Sequence, residues 1–230
     1  MRSTDLGICL HRISYSNTSL IISFYTRENG LKKFLFKGGK KKAHNLFPMG
    51  VSELSFYDRK MSDLLQLTAA EPAFPSDFQF DPIKGTIAFF MAEVIRKVVH
   101  VGEKDLGLFR FLENAIHELN DSDQAQLIPI LFMIDLAEWL GVQPYIEDPK
   151  HAFFNLDEGR FEGVNRNQYT VVSGEIADLI KAHILGLEKE QLTKQQRIEA
   201  LETMILYFRI HLSGFERIDA YEIIKEVLNA

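Results

Sequence analysis

The stretch FLFKGGKKK, residues 34–42, holds the residues of this 230-residue chain whose types and spacing point most directly to a chemistry. Lys37, Lys40, Lys41 and Lys42 surround Gly38 and Gly39 in a chain of formal net charge -6. Several cations on a glycine-hinged loop suit a polyanion held at more than one point. The ammonium groups neutralise phosphates, and the glycines let backbone amides approach without a Cβ in the way. Lys32 and Lys33 precede the loop, and Arg12, Arg27, Arg59 and Lys60 lie at other strand ends. Tyr15, Tyr25, Phe36 and Tyr57 are candidates to stack on bases, as a single-strand surface requires. Phe36 follows the alternation of a core residue and reads as core. Together these residues predict a cationic cleft at the mouth of a barrel, built by the lysines after the third strand. The competing reading is a set of solvated surface lysines.

Other chemistries have little support. The sequence contains no GxSxG, no HExxH and no GxxxxGK[ST]. Its histidines stand singly at 11, 44, 100, 117, 151, 183 and 211, with no i,i+4 pair on a predicted helix to bind zinc. Asp77 and Asp81 are four apart but have no basic or metal-binding companion nearby. The single cysteine, Cys9, excludes an internal disulfide and any CxxC module, and its alternating neighbours make it a small buried hydrophobe. We therefore expect no catalytic residue, no metal and no cofactor.

Charge divides along the chain. Residues 1–75 carry 11 Lys and Arg against 6 Asp and Glu, a net of +5; residues 76–230 carry 15 against 26, a net of -11. A basic module attached to an acidic body suggests anion binding by the first part. No apolar run approaches the ~18 residues of a membrane span, and the amino terminus makes a poor signal peptide. The expected location is cytoplasmic.

The elements that must position these residues follow from periodicity. DLGICLHRI, SLIISFYT, KKFLFK, VSELSFY and DLLQLTA alternate with period 2, separated by turn residues. Five short strands in 75 residues suit a small closed barrel, because an open sheet of that size leaves edges and a bare face. Prolines 72, 75 and 82 then interrupt the pattern as a linker, and the period becomes helical. Asp81 with Pro82 reads as a helix start, 125–141 as a central buried helix with Pro129 in its first turns and Gly141 at its end, and Thr193 as a further N-cap. Residues 142–172 are too long for a simple connection and predict an irregular insertion with a small hairpin. The fold class is α+β: a barrel over 1–75, then an all-α domain over 76–230.

GICLHRISYSNTSLIISFYTRENGLKKFLFKGGKKK resembles the amino-terminal domain of the RecO family of bacterial recombination mediators, at Gly7, Tyr15, Ser19, Ile21, Tyr25-Thr26, Gly30 and Lys37-Gly38. LYFRIHLSGFERIDAYEIIKEVL is similar to the family's closing helices, at His211-Leu212 and Ile223 to Leu228. The resemblance implies an oligonucleotide-binding (OB) barrel followed by a helical domain. It implies non-catalytic DNA repair and recombination work in the cytoplasm at the nucleoid: binding single-stranded and duplex DNA, annealing complements, and acting with RecR to help RecA onto strands coated by single-strand-binding protein. It also implies a pocket in the helical domain for that coating protein's C-terminal tail, for which Arg96, Lys97 and Arg110 are the candidate cations. Many members carry a four-cysteine zinc site in the insertion; FFNLDEGRFEG stands there instead, so packing by Phe153, Phe154 and Phe161 must hold the segment. The alternatives are a protein adaptor using the acidic helical body, and an RNA-binding barrel.

Overall fold

The computed structural model describes residues 2–42, 46–58, 62–74, 78–101, 104–165, 170–187 and 192–229. Arg59 and Lys60 lie outside them. The chain divides into two compact units, Met1–Ala125 with Ile218–Ala220, and Gln126–Arg217 with Tyr221–Ala230.

In the first unit the five alternating segments form β1 (Arg2–Ser14), β2 (Leu20–Thr26), β3 (Gly30–Phe36), β4 (Val51–Tyr57) and β5 (Leu64–Pro72). They close into a barrel in the order β1-β2-β3-β5-β4. β3 and β5 pair in parallel and the other neighbours antiparallel, which gives the barrel the connectivity of an OB-fold. Closure works because alternate residues point inward. Leu20, Ile22 and Phe24 from β2 meet Phe34 and Phe36 from β3, with Leu54, Phe56, Leu65 and Leu67 completing the core. The Phe34 ring packs edge-on against Phe24 at 5.7 Å and Phe56 at 5.2 Å. Each such buried ring contributes about 1.5–3 kcal/mol over an exposed one. Phe36 is core, as its alternation predicts. Bulges at Cys9/His11 and Ser55/Phe56 bend the strands that must curve around this interior.

Cys9 belongs to the same core, and burial pushes its thiol up to about 12. The thiolate is the reactive form. Native protein at neutral pH is therefore expected to resist iodoacetamide and to be labelled fully only in denaturant. Rapid native labelling, followed by mass spectrometry, would contradict this packing.

The proline-rich stretch after β5 is partly ordered: Phe78–Phe80 form a 3-10 turn, and the Phe78 ring is buried edge-on to Phe47. α1 (Pro82–Val98) then starts where the sequence places it, with Asp81 Oδ1 accepting from the amides of Ile83 and Lys84. α2 (Leu106–Asp121) is capped in the same way by Asp105.

The second unit is built on α3 (Ile128–Trp139), which is buried nearly all round and has Pro129 in its first turn. α4 (Glu175–Ile184) and α5 (Lys194–His211) pack on α3, and α6 (Tyr221–Leu228) packs on α5. Thr193 and Gln196 form a reciprocal capping box at the start of α5. The insertion is a three-stranded sheet, β6 (Phe153–Asn155), β7 (Arg160–Glu162) and β8 (Val171–Val172), in the order β7-β6-β8. Phe154 and Phe161 stack at 5.0 Å, and Phe154 meets Tyr207 of α5 at 5.3 Å. Phe153 is only half-buried, so Phe154, Phe161 and Tyr207 are the anchors. Among the described residues no group of three His, Cys, Asp or Glu side chains is placed to hold a metal ion. The cysteine-free insertion offers no thiolates to replace this packing, so its residues do not fit a zinc module.

Candidate nucleic-acid interface

The lysine loop is a short 3-10 turn, Gly39–Lys41, and Gly38 supplies the left-handed residue before it (φ 69°). Gly39 is buried under the Phe36 ring, where a Cβ would approach Phe36 Cδ1 to 2.7 Å. Both glycines are thus required by chain geometry. The amide of Lys40 donates to the carbonyl of Thr18 at 3.2 Å, Lys41 to Gly38 at 3.3 Å and Lys42 to Gly39 at 2.9 Å. These three amides are already committed to carbonyls, so the expected backbone cradle for phosphate is not made by them. What the turn does offer is charge. Lys37, Lys40, Lys41 and Lys42 are exposed, and among the described residues none has an ion-pair partner. The Lys40–Thr18 bond ties this turn to the β1–β2 turn, whose Tyr15 is 62% exposed. Lysines and a stackable ring therefore share one end of the barrel.

A second feature lies on the outer face of the sheet. Because strands alternate, Lys33 stands on one face of β3 while Lys32 takes the parity of Phe34 and points the other way; Lys37 follows the strand, in the turn. Register places His11, Ser23, Lys33 and Leu64 in one row across β1, β2, β3 and β5, and Ile13, Ile21 and Leu35 in the next. The end of α1 and the segment after it face these rows. Between them is a cleft of about 580 Å³ lined by His11, Ile13, Ile21, Lys33, Leu64 and Arg96 among others. His100 adds a titratable group, and Asp63 is the single carboxylate of the lining among the described residues. Burial, together with the nearby Arg96 guanidinium, holds His11 below the usual histidine range, and Glu93 opposes them.

The sequence-predicted residues thus separate. The cleft that the structure has is not the one expected from the lysines after the third strand: it lies on the outer sheet face against the end of α1, Lys37, Lys40, Lys41 and Lys42 do not line it, and of the loop and strand lysines only Lys33 does. Arg27 sits in the β2–β3 turn, at the far end of those strands from the lysine turn, and pairs with Glu28 at 3.4 Å. Lys104 Nζ joins the same Glu28 carboxylate at 2.7 Å. Arg12 is exposed near the end of β1. Tyr25 is lost as a stacking residue: it is buried, packs on Phe109 and donates to the Asp105 carbonyl at 3.2 Å. Tyr57 stays 45% exposed. Of the three helix cations, Arg96 faces the cleft, Lys97 turns to Glu93 at 3.9 Å, and Arg110 is exposed on α2. Sequence reasoning missed His11 and His100 as cleft residues. A lone histidine carries no spacing signal, and only strand register brings His11 into one row with Lys33, across Ser23.

The same order of elements occurs in known proteins. A family model described as recombination protein O N terminal matches residues 1–75, and one described as recombination protein O C terminal matches residues 79–217. The DNA repair protein RecO of Phocaeicola vulgatus is 28% identical over 241 residues, and that of Flavobacterium psychrophilum 26% over 238, each alignment covering both chains completely. The DNA repair protein RecO of Christiangramia forsetii is 26% identical over 233 residues, covering 96% of this chain and 97% of its own. With a barrel of OB connectivity matched by one model and most of the remaining chain matched by the other, the chain belongs to the recombination protein O family.

Proposed function

We propose that this protein is a non-catalytic DNA repair and recombination mediator. It binds single-stranded DNA, brings complementary strands together, and with RecR promotes RecA loading on strands coated by single-strand-binding protein. The observation that carries the reading is the exposed lysine turn, without an ion-pair partner among the described residues and beside exposed Tyr15, on a barrel belonging to this family. Its mechanism is charge neutralisation. Two strands held on one basic surface repel each other less, so they pair faster, and neither nucleotide nor metal takes part. Duplex DNA meets the same lysines through its phosphates. The tail of the coating protein docks on the helical part of the chain, and the work is done at the nucleoid.

The test is fluorescence anisotropy of a labelled single strand over a salt series, followed by an annealing assay with its complement. Each phosphate contact is expected to steepen the log–log salt dependence by about 0.7, and annealing should speed up with protein. Absence of binding at about 50 mM salt, where electrostatic contacts are strong, would replace this reading by a protein adaptor. A marked preference for RNA of the same sequence would point to a contact with the 2′-hydroxyl.

A further inference from the structure

We propose that one nucleotide of the bound strand seats in the cleft between the outer face of β1–β2–β3 and the end of α1, its phosphate met by Lys33 and Arg96 and its base lying over Ile13, Ile21 and Leu64. This rests on the single-strand reading above and extends the binding surface off the barrel onto a helix.

Three observations carry it. The first is size: about 580 Å³ falls within the ~300–1,000 Å³ of sites that enclose small organic ligands. The second is composition. The lining pairs cations with an apolar floor, and Ile13 and Leu64 are 48% and 36% exposed on the sheet face. An anion with a flat apolar body satisfies both halves. Bases taken out of a stack are held against apolar as well as aromatic side chains. The third is continuity. Lys33 stands three residues, about 10 Å of strand, from the end of β3 at Phe36, and Lys37 follows directly as the start of the lysine turn. A strand gripped at the turn reaches the cleft along one sheet face without crossing the barrel.

His11 makes the site sensitive to pH. Among the described residues the charged and titratable groups facing it are Lys33 from β3, Arg96 and Glu93 from α1, His100 after α1 and Asp63 before β5. In the empty cleft burial and Arg96 favour the neutral imidazole. A phosphate arriving there stabilises the imidazolium, so binding takes up a proton. Affinity must then rise as pH falls through the histidine range, and His11→Gln must remove that part of the rise.

The experiment compares oligothymidylate with an abasic strand of equal length, by anisotropy, on the full chain and on single variants whose melting curves are unchanged. Arg96→Gln and Lys33→Gln are each expected to weaken oligothymidylate binding about three- to tenfold, the range of one charge-assisted contact. Asp63→Asn is expected to tighten it about two- to threefold by removing a repelling carboxylate. The abasic strand should bind the native protein more weakly, and Arg96→Gln should cost it less. Lys33 is exposed, so its variant tests the site even if Arg96→Gln fails to fold. Unchanged affinity in Lys33→Gln and Asp63→Asn, while the native protein still binds strands with a steep salt dependence, overturns the cleft and leaves the lysine turn as the binding site. Loss of binding to an acidic peptide, with oligothymidylate binding intact, overturns it in favour of a protein ligand. If the native protein binds no strand at all, the underlying single-strand reading fails instead.

Discussion

Replacing Lys40, Lys41 and Lys42 together by glutamate should cost about a hundredfold in single-strand affinity at ~50 mM salt and lower the log–log salt slope by about 2, if each lysine meets one phosphate. The magnitude follows from position. All three side chains are exposed, and none is ion-paired among the described residues, so their whole field is open to a polyanion. Reversal changes the local charge by six units within one short turn. The fold should tolerate it, because the turn is held by backbone: Lys40 to Thr18, Lys42 to Gly39, and Gly39 beneath Phe36. Surface changes of this kind shift stability by about 0.5 kcal/mol or less, so a normal melting curve with failed binding would isolate the charge effect. Annealing should fall with binding, since both depend on the same neutralisation. A triple variant that binds and anneals like the native protein would remove the lysine turn from the mechanism. If Arg96→Gln still weakened binding, the cleft would then be the principal site.

This separation between turn and cleft was only half legible in the sequence. The lysines announce themselves by clustering, and Gly38-Gly39 mark a turn by composition. The barrel was legible because alternation with a period of 2 is written into each strand, and the helix starts at Asp81 and Thr193 because capping is local chemistry. Register is a different kind of information. That His11 stands opposite Ser23, and Ser23 opposite Lys33, depends on the bulge at Cys9/His11 and on the Ser14–Leu20 connection, neither of which a period count contains. The same limit misplaced Tyr25. Like Tyr15 it stands close to a run of turn residues, yet α2 brings Phe109 against it and buries it. In the sequence Arg96 reads only as one of three helix-surface cations that the family resemblance offers to a partner's tail. The packing of that helix on β1 decides its neighbours, and no spacing rule reaches across about 80 residues of chain.

Glutamate in the middle of an apolar helix face is the other feature the sequence could not explain, and it yields the second large effect. Glu93 lies on α1 and is only 4% exposed, among Phe90, Met91, Val94 and Ile95. A lone buried carboxylate would be expensive. This one is satisfied: its oxygens accept from the amide of Asp219 at 2.9 Å and of Ala220 at 2.8 Å. Through them α1 holds the three residues Ile218–Ala220 in the first unit. Glu93→Ala deletes an acceptor shared by two amides, one of them fully buried, and is expected to cost about 2–4 kcal/mol in urea unfolding. Glu93→Gln keeps one acceptor oxygen but turns an NH2 toward the other amide, so about 1–2 kcal/mol should be lost. Lys97→Ala should cost under about 1 kcal/mol, because its side chain is a quarter exposed and its ammonium 3.9 Å away. The ordering separates a backbone anchor from an ion pair. If the carboxylate served Lys97, the lysine variant would be as costly as the alanine one. Amide exchange gives an independent reading. In Glu93→Ala the Ala220 N–H should lose its protection while the β2–β3 ladder keeps its own. Unchanged protection at Ala220, with unfolding free energy within about 0.5 kcal/mol of native, would mean that the carboxylate does not hold this segment to α1.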